Sequence, residues 1–252
     1  MAVLLMIGLV GLTVPAGATV SANAQGKVLV GLFRLTPGSD TAGHLGGTYF
    51  QMLQPGASAA SGPYMVNANS KADGGQATLL QPGTAGGFRT EKYQSEPTPA
   101  FDSGGNSLAD AITVPTLFFA VKFSISTNKV DPQTKTQCAP PVVVEKNGKL
   151  TADMSSWAAS WNKQNFNQGA PKPVPNTSAK SPGEKQAQEA WSFVSQRFLG
   201  AAPKATVSGI SATGTFNAKT GKYELQWTSL IVGGPFNGFT GLWHLAGTFH
   251  SA

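Results

Sequence analysis

Residues 239–250 read FTGLWHLAGTFH, and residues 44–53 read HLGGTYFQML. Both contain the order His-Leu-small-Gly-Thr-aromatic, at His44–Tyr49 and again at His244–Phe249. At the period of two that a strand imposes, Trp243, Leu245, Gly247 and Phe249 share one face. Leu242, His244, Ala246, Thr248 and His250 take the other. In the first copy Leu45, Gly47 and Tyr49 oppose His44, Gly46, Thr48 and Phe50. Each copy therefore sets His and Thr against a Leu-Gly-aromatic trio, which is the pattern of a half-buried strand. An early and a final strand of matched pattern would pair and close a sheet, removing exposed edges. The competing readings are coincidence and a split histidine site.

The chain has 3 histidines and 1 cysteine. His244 and His250 share a strand face but would lie about 20 Å apart at ~3.3 Å per residue, and zinc needs three or four close ligands. They read as polar residues on a solvent face, and neither a metal nor another cofactor is expected. Cys138, in KTQCAPPVVV, has no disulfide partner in the chain. It reads as a free or buried thiol before a Pro-Pro loop.

Working outward, 30 glycines and 17 prolines punctuate many short apolar runs. KVLVGLFRL (Lys27–Leu35) and GGTYFQML (Gly46–Leu53) read as strands. TVPTLFFAVKFSIST (Thr113–Thr127) reads as one strand with Phe119, Val121, Phe123 and Ile125 on one face. PVVVEKNGKLTA carries Asn147-Gly148, the favoured pair for a type I′ hairpin. ATVSGISATGTF, KYELQWTSLIV and FTGLWHLAGTF form a terminal meander, with Tyr223, Leu225 and Trp227 on one face of its middle strand. Two segments read as helices. Over Thr151–Asn165, Leu150, Met154, Trp157 and Trp161 recur at steps of four, three and four. Over Pro182–Leu199, Ser181 caps, Pro182 takes the first helical position, Glu184 completes a capping box and Gly200 stops the run. The fold expected is mainly β: an antiparallel sandwich or barrel-like sheet with two peripheral α-helices.

The first 26 residues carry no charged side chain. An apolar run to Val14, then Pro15 and Ala22-Asn23-Ala24, reads as a signal peptide over residues 1–24 with Gln25 as the mature terminus. Its apolar stretch is short for a bilayer span of ~20 residues, so contact with a membrane is expected only through that segment before cleavage. Residues 25–252 read as a single β-rich domain, with 167–204 a Pro-rich linker (Asn167–Lys180) plus helix, and Ser178–Lys204 an insertion. Charged residues are 12% of the chain against about 25% in an average domain, which suits an extracellular surface. The net charge of +6 is spread singly over 18 basic residues. There is no clustered basic footprint for nucleic acid; anionic cell-wall polymer is compatible.

No G-x-S-x-G elbow is present, and the carboxylates are sparse. Asp102, in a Gly-rich loop after Phe101, is the one to watch for paired-carboxylate chemistry or ion binding; it otherwise reads as a turn residue. Aromatic-amide clusters are more suggestive. Trp157, Trp161 and Asn162 fall in WAASWNKQNFNQG, and Phe236, Asn237 and Phe239 in GGPFNGFTGLWH. Flat rings beside amides are the chemistry of sugar binding, although Trp at regular spacing is usually core.

At GTYFQML, PTPAFDSGGNSLADAI, WNKQNFNQGAPKP and IVGGPFNGFTGLWHLAGTF the chain resembles a group of secreted actinobacterial-type hypothetical proteins with no assigned activity. The resemblance spans most of the mature chain and implies export and a single unit, but no site. The first functional expectation is thus a secreted or envelope-associated, non-catalytic binding protein for glycan or cell-wall polymer. The second is a secreted hydrolase acting on polysaccharide or ester. The third is a haem or metal carrier using His44, His244 and His250.

Overall fold

The computed structural model describes residues 26–133, 135–172 and 211–252, and only the backbone of 191–192 and 197–198. In chain order its strands are β1 (Lys27–Leu29), β2 (Gly31–Leu35), β3 (Ser39–Thr41), β4 (His44–Gly46), β5 (Tyr49–Ser58), β6 (Gly62–Tyr64), β7 (Ala77–Leu79) and β8 (Gly87–Arg89). There follow β9 (Thr116–Phe118), β10 (Val121–Thr127), β11 (Val142–Lys146), β12 (Lys149–Asp153), β13 (Trp157–Trp161) and β14 (Gln164–Asn167). The last are β15 (Trp191–Ser192), β16 (Arg197–Phe198), β17 (Ala212–Phe216), β18 (Lys222–Leu230) and β19 (Thr240–Ser251). The fold is mainly β, an antiparallel curled sheet of half-barrel form.

The curled sheet has 11 strands, in the order β1-β11-β12-β17-β18-β19-β2-β8, with β5 also on β19 and carrying β6 and β7. A 6-stranded sheet, β16-β15-β14-β13-β10-β9, packs on it, and β3-β4 form a separate ribbon. The core lies between the two large sheets. Phe33, Phe50, Leu150, Leu225, Trp227, Trp243 and Leu245 come from the first; Phe118, Phe123, Ile125, Trp157, Trp161 and Phe166 come from the second.

β19 organises the curled sheet. One edge pairs with β18 along nine residues, from Thr240↔Leu230 to Thr248↔Lys222. The other edge is shared between β5, on Thr240–His244, and β2, on Gly247–Ser251. Its alternation is as expected, with Trp243, Leu245 and Gly247 buried and His244 and Ala246 on the outer face. Early and final strands do pair, but the two sequence copies do not lie side by side, because Tyr49 stands opposite His244. Nor is the first copy one strand. Gly47 has φ 66°, and a Cβ there would lie 2.1 Å from the Pro37 carbonyl oxygen. The chain kinks between β4 and β5 and the alternation resets. Phe50, not Tyr49, enters the core, opposite Trp243.

The helix expected over Thr151–Asn165 is absent; the segment is β12, a corner, β13, a hairpin and β14. Steps of four fit either structure, since four is a multiple of two. Leu150, Ala152 and Met154 point inward along β12 and its extension, and Trp157, Ala159 and Trp161 lie in β13. The single step of three, Met154 to Trp157, falls where the chain crosses from one sheet to the other. Asn162 and Lys163, at φ 49° and 60°, then turn the chain into β14. Of the second expected helix, Pro182–Leu199, the backbone at Trp191–Ser192 and Arg197–Phe198 is strand, with Trp191 paired to Asn165. Cross-strand pairing at the sheet edge has overridden the helical pattern there. Its remaining residues, most of the linker and insertion, and the leader with Gln25 lie outside the described residues.

The Asn147-Gly148 hairpin forms as read, at φ 52° and 76°. Thr113–Thr127 is two strands, not one. Phe119-Ala120 makes a two-residue turn at φ 48° and 64°, so Phe118 rather than Phe119 enters the core. Neither residue type favours positive φ, so this turn has no local signal.

Candidate functional site: a polar groove on the outer sheet face

The face of the curled sheet opposite the core is a continuous row of polar side chains. Register places Thr151 beside Thr213, Thr213 beside Gln226, Gln226 beside His244 and His244 beside Tyr49. Five strands at ~4.8 Å spacing make the row about 19 Å long. A second row, Lys149–Thr215–Glu224–Ala246, runs alongside. These side chains face solvent because β17 and β18 alternate strictly, with Ala212, Tyr223, Leu225 and Trp227 taking the buried positions.

Three adjoining hollows of about 440, 420 and 410 Å³ follow these rows. The first lies over Thr151, Thr213, Gln226 and His244. The second lies over Thr215, Lys222, Glu224 and Thr248. The third is walled by Ala59 and Ala60 at the tip of the β5–β6 hairpin, beside Thr228. Tyr64 pins that tip by donating its hydroxyl to the Ala59 carbonyl at 2.6 Å. At the end of the first row the Tyr49 and His244 rings stack at 4.6 Å and 10°. His244 Nδ1 lies 2.8 Å from the Gly47 carbonyl oxygen, which fixes the ring. Burial, with Tyr64, Glu224 and Asp73 nearby, raises the Tyr49 pKa, so its phenol stays protonated and able to donate.

The groove presents hydroxyls, two amides, two amines and an imidazole on the sheet. Glu224 is the only carboxylate lining it among the described residues, whereas glycoside hydrolysis takes two at ~5–9.5 Å.

Of the residues singled out from sequence, His244 lies in the groove and the others lie elsewhere. Trp157 is fully buried, and Trp161 donates its indole N–H to the Phe118 carbonyl at 2.8 Å. Asn162 sits in the β13–β14 turn. Asp102 is fully exposed and closes its own loop, accepting from the Asn106 backbone and side-chain amides at 2.9 and 2.8 Å; those bonds lower its pKa. Asn237 accepts from the Gly233 N–H at 2.7 Å, and Phe236 and Phe239 are partly buried against the core. His44 is exposed on the ribbon, and His250 Nε2 lies 3.0 Å from the Thr248 hydroxyl. Cys138 is buried, which pushes its thiol up to about 12. The groove was not foreseen, since Thr, Gln and Glu at alternate positions read only as a solvated face. Register alone aligns them across strands.

Partly and fully buried polar groups also lie away from the groove. Glu96 accepts from Asn165 Nδ2 at 2.8 and 2.9 Å and from the Ser160 hydroxyl at 2.9 Å; burial raises its pKa against these bonds. Lys172 Nζ donates to the carbonyls of Asn167 and Leu230, at 2.8 and 2.6 Å, and to Ser229 Oγ at 3.2 Å. Complete burial pulls its pKa down to about 7, with Asp131 opposing. Between pH 7 and the ~10.4 of an unfolded lysine, the unfolded chain binds a proton that the folded chain lacks, so stability rises with pH. Urea midpoints at pH 7 and pH 8, below the ~8.5 and ~10 at which an unfolded cysteine and tyrosine ionise, are expected to increase for the native chain. Lys172→Met is expected to flatten that slope, and an equal slope in both would refute the assignment.

No family model matches the chain, no curated protein matches it and no solved structure matches it.

Proposed function

We propose that the protein is an exported, non-catalytic binding protein that lays a glycan or cell-wall polymer strand along the outer-face groove. The observation that supports this most is the five-strand row Thr151–Thr213–Gln226–His244–Tyr49. It offers hydrogen-bonding groups at regular spacing on a surface that needs no rearrangement. Hydroxyls and an amide suit the alternating donors and acceptors of a sugar chain, and the fixed Tyr49–His244 pair supplies a flat edge. Lys149 and Lys222 flank the row and favour a polymer carrying negative charge, whose binding weakens as salt rises.

Calorimetric titration with soluble cell-wall oligosaccharides tests this reading. The double variant T213A/Q226A removes two groups worth about 0.5–1.5 kcal/mol each, so affinity is expected to fall about tenfold or more with the melting temperature little changed. Equal affinity in both proteins moves the site off the groove. Mass spectrometry of the ligand afterwards should show intact chains; shortened products would replace this reading with the hydrolase.

A further inference from the structure

A separate cavity of about 40 Å³ lies between the two sheets. It is bounded by Phe50, Phe118, Phe123, Trp161 and Trp243, with Ala159 on its floor. A water needs roughly 10–15 Å³ and two or more polar partners. The space is sufficient and the partners are missing. Gln168, the one polar side chain lining it, has both ends engaged: Nε2 donates to the Asn167 carbonyl at 2.9 Å, and Oε1 accepts from the Trp243 indole at 3.2 Å. Such a cavity stays dry and takes an apolar guest.

Among its lining residues Phe236 alone is not buried. Its ring flanks the cavity at 5.6 Å from Phe118 and 5.4 Å from Trp161. Phe236 rides on a loop whose neck is the Ile231–Phe239 backbone pair and whose bends use Gly233, Gly234 and Gly238, at φ 80°, 65° and 89°. Phe236 also meets Phe119, at 5.4 Å, which is held at φ 48°. A bulky residue at positive φ is strained, and such strain concentrates at ligand sites. Gln164 Oε1 is buried with no hydrogen-bond partner among the described residues, 2.5 Å from where a Cβ on Gly234 would stand, and the Phe166 ring that lines the cavity is 3.2 Å from the same point. An acceptor thus lies beneath the loop, beside a ring that lines the cavity.

We propose that this cavity binds the end of an alkyl chain, admitted when the Phe236 loop lifts, with a hydroxyl head donating to Gln164. The site is independent of the groove and of its ligand.

The test titrates straight-chain alcohols from methanol to hexanol into the protein and follows tryptophan fluorescence and melting temperature, since Trp161 and Trp243 line the cavity and its volume suits only a few carbons. Saturable binding is expected, tightening about fourfold per methylene, the equivalent of ~0.8 kcal/mol, up to a length at which the gain stops. Ala159→Leu fills the floor and is expected to abolish binding while the protein still melts cooperatively. If that variant does not fold, Ile231→Phe fills the opposite wall and carries the same comparison. Phe236→Ala is expected to speed association. Absence of saturation, affinity that grows without a plateau, or undiminished binding in a folded filled variant would overturn the proposal.

Discussion

Truncating Trp157 to alanine is expected to cost about 3–5 kcal/mol, the range for large aromatics in cores. Trp157 is fully buried in β13 and meets Phe88, Trp227 and Trp243 edge-on at 6.1, 5.3 and 5.9 Å. These three rings belong to the curled sheet and Trp157 to the other, so the truncation opens a void between the sheets that neither closes without moving. Its indole nitrogen is buried with no hydrogen-bond partner among the described residues. Trp157→Phe keeps an aromatic ring and removes that unsatisfied donor, whose burial itself costs ~1–3 kcal/mol. The phenylalanine variant is therefore expected to lose far less than the alanine variant. Denaturant unfolding of the two variants and the native chain measures the difference. Comparable losses would mean that Trp157 does not hold the sheets together.

Gly247→Ala is expected to destabilise by about 3 kcal/mol or more, the upper range for overpacking. A Cβ at 247 would stand 1.8 Å from the Arg34 carbonyl oxygen and 3.2 Å from Leu35 Cα. Both are backbone atoms of β2, so no rotamer change relieves the clash. β2 must part from β19, and β2 carries Phe33, which stacks on Phe88 at 4.8 Å and meets Tyr223 at 4.9 Å. Gly46, which aligns with Ala246 between the two copies, gives the contrast. A Cβ there meets only the Ser39 hydroxyl, at 3.1 Å, on the exposed ribbon. Gly46→Ala is expected to stay within about 0.5 kcal/mol, as surface changes do. Equal losses in the two alanine variants would refute close strand approach as the reason for Gly247.

The sequence by itself determined the β class, the inward face of the last two strands and the Asn147-Gly148 hairpin. Each rests on a local rule: a side-chain period of two, or a residue type suited to positive φ. Where local signals were ambiguous or missing, tertiary structure decided. Leu150, Met154, Trp157 and Trp161 are spaced for a helix, yet burial between two sheets places them in two strands joined by a corner. Phe119-Ala120 turns the chain with no glycine or asparagine to announce it. Gly47 breaks the first copy while Gly247 sits inside an unbroken strand. One needs φ 66° and the other only the space that a neighbouring backbone occupies. The groove belongs wholly to the tertiary level. Thr151, Thr213, Gln226, His244 and Tyr49 are far apart in the chain, and only the register of five strands sets them in one row. A strand's own sequence specifies which face is buried, because burial depends on alternation along that strand. It does not specify which polar residue stands beside which, because that follows from hydrogen-bond register with a partner strand.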